Sequence, residues 1–261
     1  MTASLYSFDR VADRYDATRG FPADAETRIG AALAGLLPRG SHLLEVGIGS
    51  GRVAVPVARN GVRVTGIDLS RNMLALLHAK DPGIGRVLGD AGHQPFRDGA
   101  FDGALFVHIL HLVPDVDATV RESLRVVRTG GLLLACSTTY APGPVMEAND
   151  AIRQAATTAM GREPRLAQAN HTPREVFARV VTEAGASLHE VEITSWLQHS
   201  TGRELLDEIG SQLNSWTWTI PAESLGRIAE AATPAVERIL GGLDSRRESE
   251  ARFSVTVATL P

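Results

Sequence analysis

The sequence predicts an α/β fold built on a mostly parallel sheet with helices on both faces. Three observations lead there. From residue 41 onward, short apolar runs alternate with helix-length amphipathic segments. Runs such as Leu43-Leu44-Glu45-Val46 and Leu132 to Ser137 are almost continuously apolar, as strands covered on both faces are. The last run, Arg252 to Leu260, instead alternates polar and apolar, which predicts one exposed face and an antiparallel last strand.

The elements follow in order. Phe8, Val11, Ala12 and Tyr15 recur at helical spacing and predict a short helix over 5–15. Asp24 is placed to cap a helix reaching Leu37, where Pro38 and Gly40 stop it. The first strand ends in Gly47-Ile48-Gly49-Ser50-Gly51 and leads into a helix over 51–60. Strand 62–67 ends at Asp68, and Ser70 caps a helix to Lys80. Strand 86–89 ends at Asp90, and a fourth strand runs from Phe101 to His108. Asp115 opens a helix to Arg128, Gly130-Gly131 turns the chain, and 132–137 is a fifth strand. The rhythm then breaks: residues 141–170 hold three prolines and only patchy helical periodicity. Thr172-Pro173-Arg174-Glu175 is a capping box opening a helix to about Gly185, and 187–196 is a strand. Residues 201–248 read as largely helical, opened by a second capping box at Thr201 and Glu204. The expected plan is a single domain over 1–261, with a core of 41–138, 172–196 and 250–261 and a helical cap of 1–30, 141–170 and 200–248.

Composition narrows the function. The 261 residues are 44% hydrophobic and 21% charged, ordinary for a globular protein. No apolar run reaches the roughly 18 residues that span a bilayer, and the N-terminus lacks the basic and apolar blocks of a secretory signal, so a cytoplasmic protein is expected. One cysteine, Cys136, excludes an internal disulfide and a multi-cysteine zinc site. A net charge of −4, with no basic stripe, argues against nucleic acid as partner. Among 26 lysines and arginines the only lysine is Lys80. A Walker lysine is therefore missing, since Arg52 follows Gly51, and Lys80 itself reads as a solvated cation at a helix C-terminus. The arginine bias, with abundant alanine, reads as codon composition.

Three strand ends carry the chemistry. Glycines 47, 49 and 51 stand at alternate positions between a strand and a helix, where the backbone must turn sharply and approach a ligand. Gly49-Ser50-Gly51-Arg52-Val53-Ala54 also fits the dinucleotide pattern, so the glycines do not choose between nucleotide-type ligands. Asp68 lies 17 residues past Gly51, where a carboxylate can accept both hydroxyls of a ribose; capping the next helix is its bland alternative, for which Ser70 is available. Asp90 can accept from an adenine amine, or cap the loop at 91–95. The ends of successive parallel strands are where such sheets bind ligands.

These motifs, in this order, resemble class I S-adenosylmethionine-dependent methyltransferases. The likeness rests on Leu44-Glu45-Val46-Gly47-Ile48-Gly49-Ser50-Gly51, on Gly66-Ile67-Asp68-Leu69-Ser70 with Met73, and on Gly89-Asp90-Ala91. Phe101-Asp102, Leu110 to Asp115 and Leu124 to Gly131 complete it. It covers about residues 8–138 and is nearest the small-molecule branch related to ubiquinone and menaquinone methyltransferases. The resemblance implies a Rossmann-like, seven-stranded, mostly parallel sheet, and S-adenosylmethionine as cofactor with S-adenosylhomocysteine as product. It implies that Gly47, Gly49 and Gly51 pack on the methionine moiety and that Glu45 holds the amino-acid end or the loop. Asp68 would bind the ribose, Leu69 and Met73 would line the adenine pocket, and Asp90 and Ala91 would meet the adenine edge. Tyr15 and Arg19 would approach the cofactor carboxylate.

A base is needed only where the acceptor carries a proton of high pKa. His108 and His111 follow the fourth strand, three residues apart, beside the expected methyl position; His108 would also touch the cofactor. Asp115 could orient His111, and the alternative is a pair of loop histidines. No third ligand accompanies them, so no metal is expected. Trp216 and Trp218 could wall an apolar acceptor, or simply pack helices. The cap suits a small-molecule acceptor, and a monomer or homodimer is expected. Two alternatives stay open: a non-methylating S-adenosylmethionine-binding protein, and an NAD(P)-dependent oxidoreductase. The second is weakened because Tyr140 is followed at the fourth position by Pro144 rather than lysine, and because about 40 residues precede the first strand.

Overall fold

The structure, a computed structural model, describes residues 20–164, 172–212 and 214–261. The expected helix over 5–15, with Tyr15 and Arg19, lies outside them. Seven strands form one sheet in the order β3-β2-β1-β4-β5-β7-β6. They are β1 (His42–Val46), β2 (Arg63–Asp68), β3 (Gly85–Leu88), β4 (Phe101–Val107), β5 (Val127–Tyr140), β6 (Ser187–Ser200) and β7 (Arg247–Thr259). The helices are α1 (Ala23–Gly35), α2 (Ala54–Arg59), α3 (Arg71–Lys80), α4 (Val116–Val126), α5 (Pro144–Met160), α6 (Pro173–Glu183), α7 (Gly202–Gly210) and α8 (Ala222–Leu240).

Strands β3, β2, β1, β4 and β5 pair in parallel. The last strand is antiparallel: Leu260 N–H donates to Gly131 O at 3.0 Å, and Ala141 N–H to Glu250 O at 2.9 Å, so the registers run in opposite directions. The chain divides into two compact units. The first comprises 1–137, 169–194 and 253–261, and the second 138–168 and 195–252.

In the first unit, Leu44 and Val46 of β1, Ala104 and Phe106 of β4 and Leu133 of β5 form one buried face. That face meets Val120 and Val126 of α4 and Phe177, Val180 and Val181 of α6. Phe106 and Phe177 meet edge-on at 5.8 Å between ring centres. Leu43 and Leu105 point the other way and are buried too, so these strands are covered on both sides, which is why they read as apolar runs. In the second unit, α5, α7 and α8 bury an aliphatic cluster that includes Ile152, Leu205, Ile228 and Val236. The Thr172–Glu175 and Thr201–Glu204 capping boxes both form.

Several boundaries differ from expectation for local reasons. Asp24 does not cap α1: Pro22 stands at the N-cap with no side-chain bond, and Asp24 lies in the first turn, paired with Arg28 at 2.9 Å. The helix expected at 51 begins only at Ala54, because the glycine loop continues through Val53. Gly130-Gly131 do not link a helix to a strand: β5 starts at Val127, paired with Phe101, and the register then jumps to Gly103 with Leu132. Gly130 and Gly131 sit in that irregularity, where a Cβ on Gly131 would lie 2.7 Å from Asp102 O. Strand β7 begins five residues before the expected Arg252, at Arg247.

Candidate cofactor and active site

The loop after β1 is held from several sides. Gly47 N–H donates to Ile67 O at 2.8 Å and Gly51 N–H to Ile48 O at 3.0 Å. Glycines 47, 49 and 51 stand at φ +71°, +54° and +78°, a region costly for residues with a Cβ. At Gly51 there is also no room: a Cβ would lie 2.4 Å from the Leu77 side chain of α3.

Asp68 ties the glycine loop to the strand end: its Oδ2 accepts from Gly49 N–H and its Oδ1 from Ser70 N–H, both at 2.8 Å. Ser70 caps α3 by accepting from Met73 N–H at 3.1 Å. Met73 is buried beside Gly49, and Leu69, next to Asp68, is 43% exposed. On the adjacent strand end, Gly89 N–H donates to Asp68 O at 3.0 Å, which places Asp90 beside Asp68. Asp90 is exposed and its Oδ1 accepts from Gly92 N–H at 2.8 Å, so the loop-capping role read for it is present. Ala91 packs against the main core.

Glu45 is 2% exposed, and its Oε2 has no hydrogen-bond partner among the described residues. Burial pushes its pKa up to about 8; Arg52 opposes that rise and Asp68 adds to it. Cys136 is likewise pushed up, by burial and then by Glu45. Lys80, the last residue of α3, is exposed, as expected for a cation at a helix C-terminus, and its Nζ also donates to Ser50 O at 2.9 Å.

The segment after β4 closes on this loop, since Ile109 fills the space a Cβ on Gly47 would need, at 2.5 Å. His108 stands at φ +52°, a left-handed conformation that is uncommon outside glycine. The two histidines therefore do not share a helical face: the backbone at His108 breaks helical spacing, and 109–112 form a turn through Leu112 N–H to Ile109 O at 2.8 Å. The Asp115 side chain caps α4, its Oδ1 accepting from Ala118 N–H at 2.9 Å. His108 and His111 line a cleft with Cys136, Ser137, Arg174 and the ring of Phe177. Its walls are mainly apolar with a few polar groups, the usual make-up of a small-molecule site. Arg174 is paired with Glu190 at 2.6 Å.

Other motif residues hold the scaffold. Asp102 lies at the opposite end of the sheet, accepting from His42 N–H and Arg128 Nε, both at 2.7 Å. Arg125 binds Phe96 O at 2.8 Å and Gln94 O at 3.0 Å, fixing the loop before β4. Trp218 is 5% exposed and donates its indole N–H to Gln212 O at 2.8 Å. Trp216 carries Arg153 over its ring at 5.0 Å. Both tryptophans thus pack within the second unit. No cluster of three metal-ligating side chains occurs among the described residues, and no described helix is long and apolar enough to cross a membrane.

A glycine loop between β1 and a helix, a buried acid inside the loop's strand and acids closing the next two strands define a nucleotide-type site at the carboxyl edge of the sheet. Residues 44–135 of this chain match the family described as a methyltransferase domain. The demethylmenaquinone methyltransferase of Tropheryma whipplei is 34% identical over 134 residues, 49% of this chain and 56% of that protein. The chain thus spans little more than half of that relative's length.

Solved structures share the fold. One is the Haemonchus contortus phosphoethanolamine N-methyltransferase 2, in complex with phosphomonomethylethanolamine and S-adenosylhomocysteine. Its TM-score is 0.53 at 17% identity, over 97% of this chain and 58% of that one. Another is the [4+2]-cyclase SpnF, at TM-score 0.52 and 20% identity, over 90% of this chain and 81% of that one. One of these neighbours holds S-adenosylhomocysteine, the demethylated form of S-adenosylmethionine. The residues fit it: a buried carboxyl with an open acceptor suits a ligand that carries an ammonium and a sulfonium, and the orphaned Oε2 of Glu45 is that group.

Proposed function

We propose that this protein transfers a methyl group from S-adenosylmethionine to a small-molecule acceptor, releasing S-adenosylhomocysteine. The observation that carries the reading is Glu45, buried under the glycine loop with an oxygen awaiting a donor. When bound, the cofactor supplies an electrophilic methyl on a sulfonium.

The chain's own residues do the rest. The backbone of Gly47, Gly49 and Gly51 receives the methionine end, with Glu45 as its acceptor for the ammonium. Asp68 takes the ribose hydroxyls, Leu69 and Met73 line the adenine, and Asp90 and Ala91 meet its edge. Tyr15 and Arg19 serve the carboxylate. Displacement in line with the leaving sulfur needs mainly alignment. Where the acceptor is protonated, its proton passes to His108 or His111 as the new bond to carbon forms, and the sulfonium becomes a neutral thioether. Both histidines line the cleft next to the glycine loop.

The first unit holds the cofactor, and the acceptor is received in the cleft lined by His108 and His111. The acceptor is a small molecule rather than nucleic acid, and the protein acts in the cytoplasm as a monomer or homodimer. Calorimetric titration with S-adenosylhomocysteine, with NADH in parallel, tests the reading. Micromolar binding of the first and none of the second is expected; the reverse would make the loop a dinucleotide site.

A further inference from the structure

The glycine loop is gripped at two successive residues, from the end of β2 and from the end of the helix that follows it. Asp68, the last residue of β2, accepts from Gly49 N–H at 2.8 Å. Lys80 is the last residue of α3, and its Nζ donates to Ser50 O at 2.9 Å. Between them, Met73 lies 3.5 Å from where a Cβ on Gly49 would stand, and Leu77 occupies the space of a Cβ on Gly51. Helix α3 therefore underlies the loop along its length.

Ser50 is 1% exposed, so its carbonyl is largely withdrawn from water and an unmet acceptor there would be costly. An ammonium on a flexible four-carbon stem delivers a point charge to a single oxygen; a guanidinium brings five fixed donors that one carbonyl cannot use. A second observation is independent of the geometry. In a chain whose 26 lysines and arginines include one lysine, that lysine stands at this carbonyl.

We propose that Lys80 is a positioning residue for cofactor binding, holding the Ser50 peptide so that the 47–51 loop is preorganised to receive S-adenosylmethionine. The inference rests on the cofactor reading above. Preorganisation acts on affinity: a loop that must be ordered on binding loses the fraction of time it spends in other shapes.

The test compares wild type, Lys80→Met and Lys80→Arg by calorimetric titration with S-adenosylhomocysteine, each with its thermal midpoint. Lys80→Met is expected to bind about tenfold more weakly at a temperature where it is fully folded. Lys80→Arg is expected to recover part of that loss, since it restores a donor. A residue that serves only the fold would lower the midpoint and leave the affinity unchanged.

A second readout needs no variant. Lys80 carries the only side-chain amine, so acylation by an N-hydroxysuccinimide ester can be followed at that residue by peptide mass spectrometry. Saturating S-adenosylhomocysteine is expected to slow its acylation several-fold. If wild type does not bind S-adenosylhomocysteine, the cofactor reading fails and Lys80 falls with it. If wild type binds while Lys80→Met binds equally well, or labelling is unchanged by ligand, the positioning role is overturned and the cofactor reading stands.

Discussion

In both units left-handed backbone ends helices, as at Gly61 and Gly185 in the first; in the first it also builds the loop after β1. Gly47, Gly49, Gly51 and His108 carry positive φ where β1 and β4 finish. Gly161 and Gly241 carry it as the C-terminal caps of α5 and α8. The same contrast holds for burial. The first unit buries an ionisable carboxyl, Glu45, with an open oxygen, whereas α5, α7 and α8 close over an aliphatic cluster. Strain and a desolvated acid both oppose folding, so a fold keeps them only where the surrounding structure holds them in place. Their meeting around the loop after β1 is what supports the proposal of the chemistry in the first unit.

The comparison can be broken or sharpened by substitution. The largest effect is expected at His111. If it takes the acceptor's proton, His111→Ala lowers turnover about 100-fold while affinity for S-adenosylhomocysteine stays within twofold. Equal losses in both would assign His111 to binding or structure. Next is Asp68→Ala, expected to weaken S-adenosylhomocysteine by about 1–3 kcal/mol through lost charge-assisted hydrogen bonds. Unchanged affinity would remove Asp68 from the ribose site.

Glu45 gives a pH signature. Its folded pKa, about 8, lies above its ordinary value of 4.5, so the folded chain binds a proton that the unfolded chain releases. The stability this adds is complete below about pH 4.5 and is lost as pH rises through about 8. Glu45→Gln, followed by urea unfolding across that range, is expected to flatten the decline; parallel curves for the two proteins would contradict it. The smallest effect lies in the second unit. Thr201→Ala removes the α7 capping box and is expected to cost about 1 kcal/mol of stability with no change in ligand affinity. A shift in affinity there would blur the contrast between the units.

Much of the first unit was legible in the sequence because its strands are buried on both faces and its motifs sit at strand ends. Ser70, Asp115, Thr172 and Thr201 all cap helices as their positions predict. Lys80 was read as an exposed cation at a helix C-terminus, which it is, but nothing local shows that Ser50 lies within its reach. Asp115 was read correctly as opening a helix, and its cap bond to Ala118 N–H shows how. Gly130-Gly131 read as a turn because irregular pairing in a strand uses the same residues as a chain reversal. In the second unit the sequence offered Trp216 and Trp218 as an acceptor wall or as helix packing, and the structure shows both packed within that unit.

Hydrogen exchange in the presence and absence of S-adenosylhomocysteine tests the central claim most directly. Protection is expected at 47–51, 68–73 and 89–91, with α8 little changed. Binding accompanied by protection confined to 144–160 and 222–240 would contradict the placement of the cofactor in the first unit.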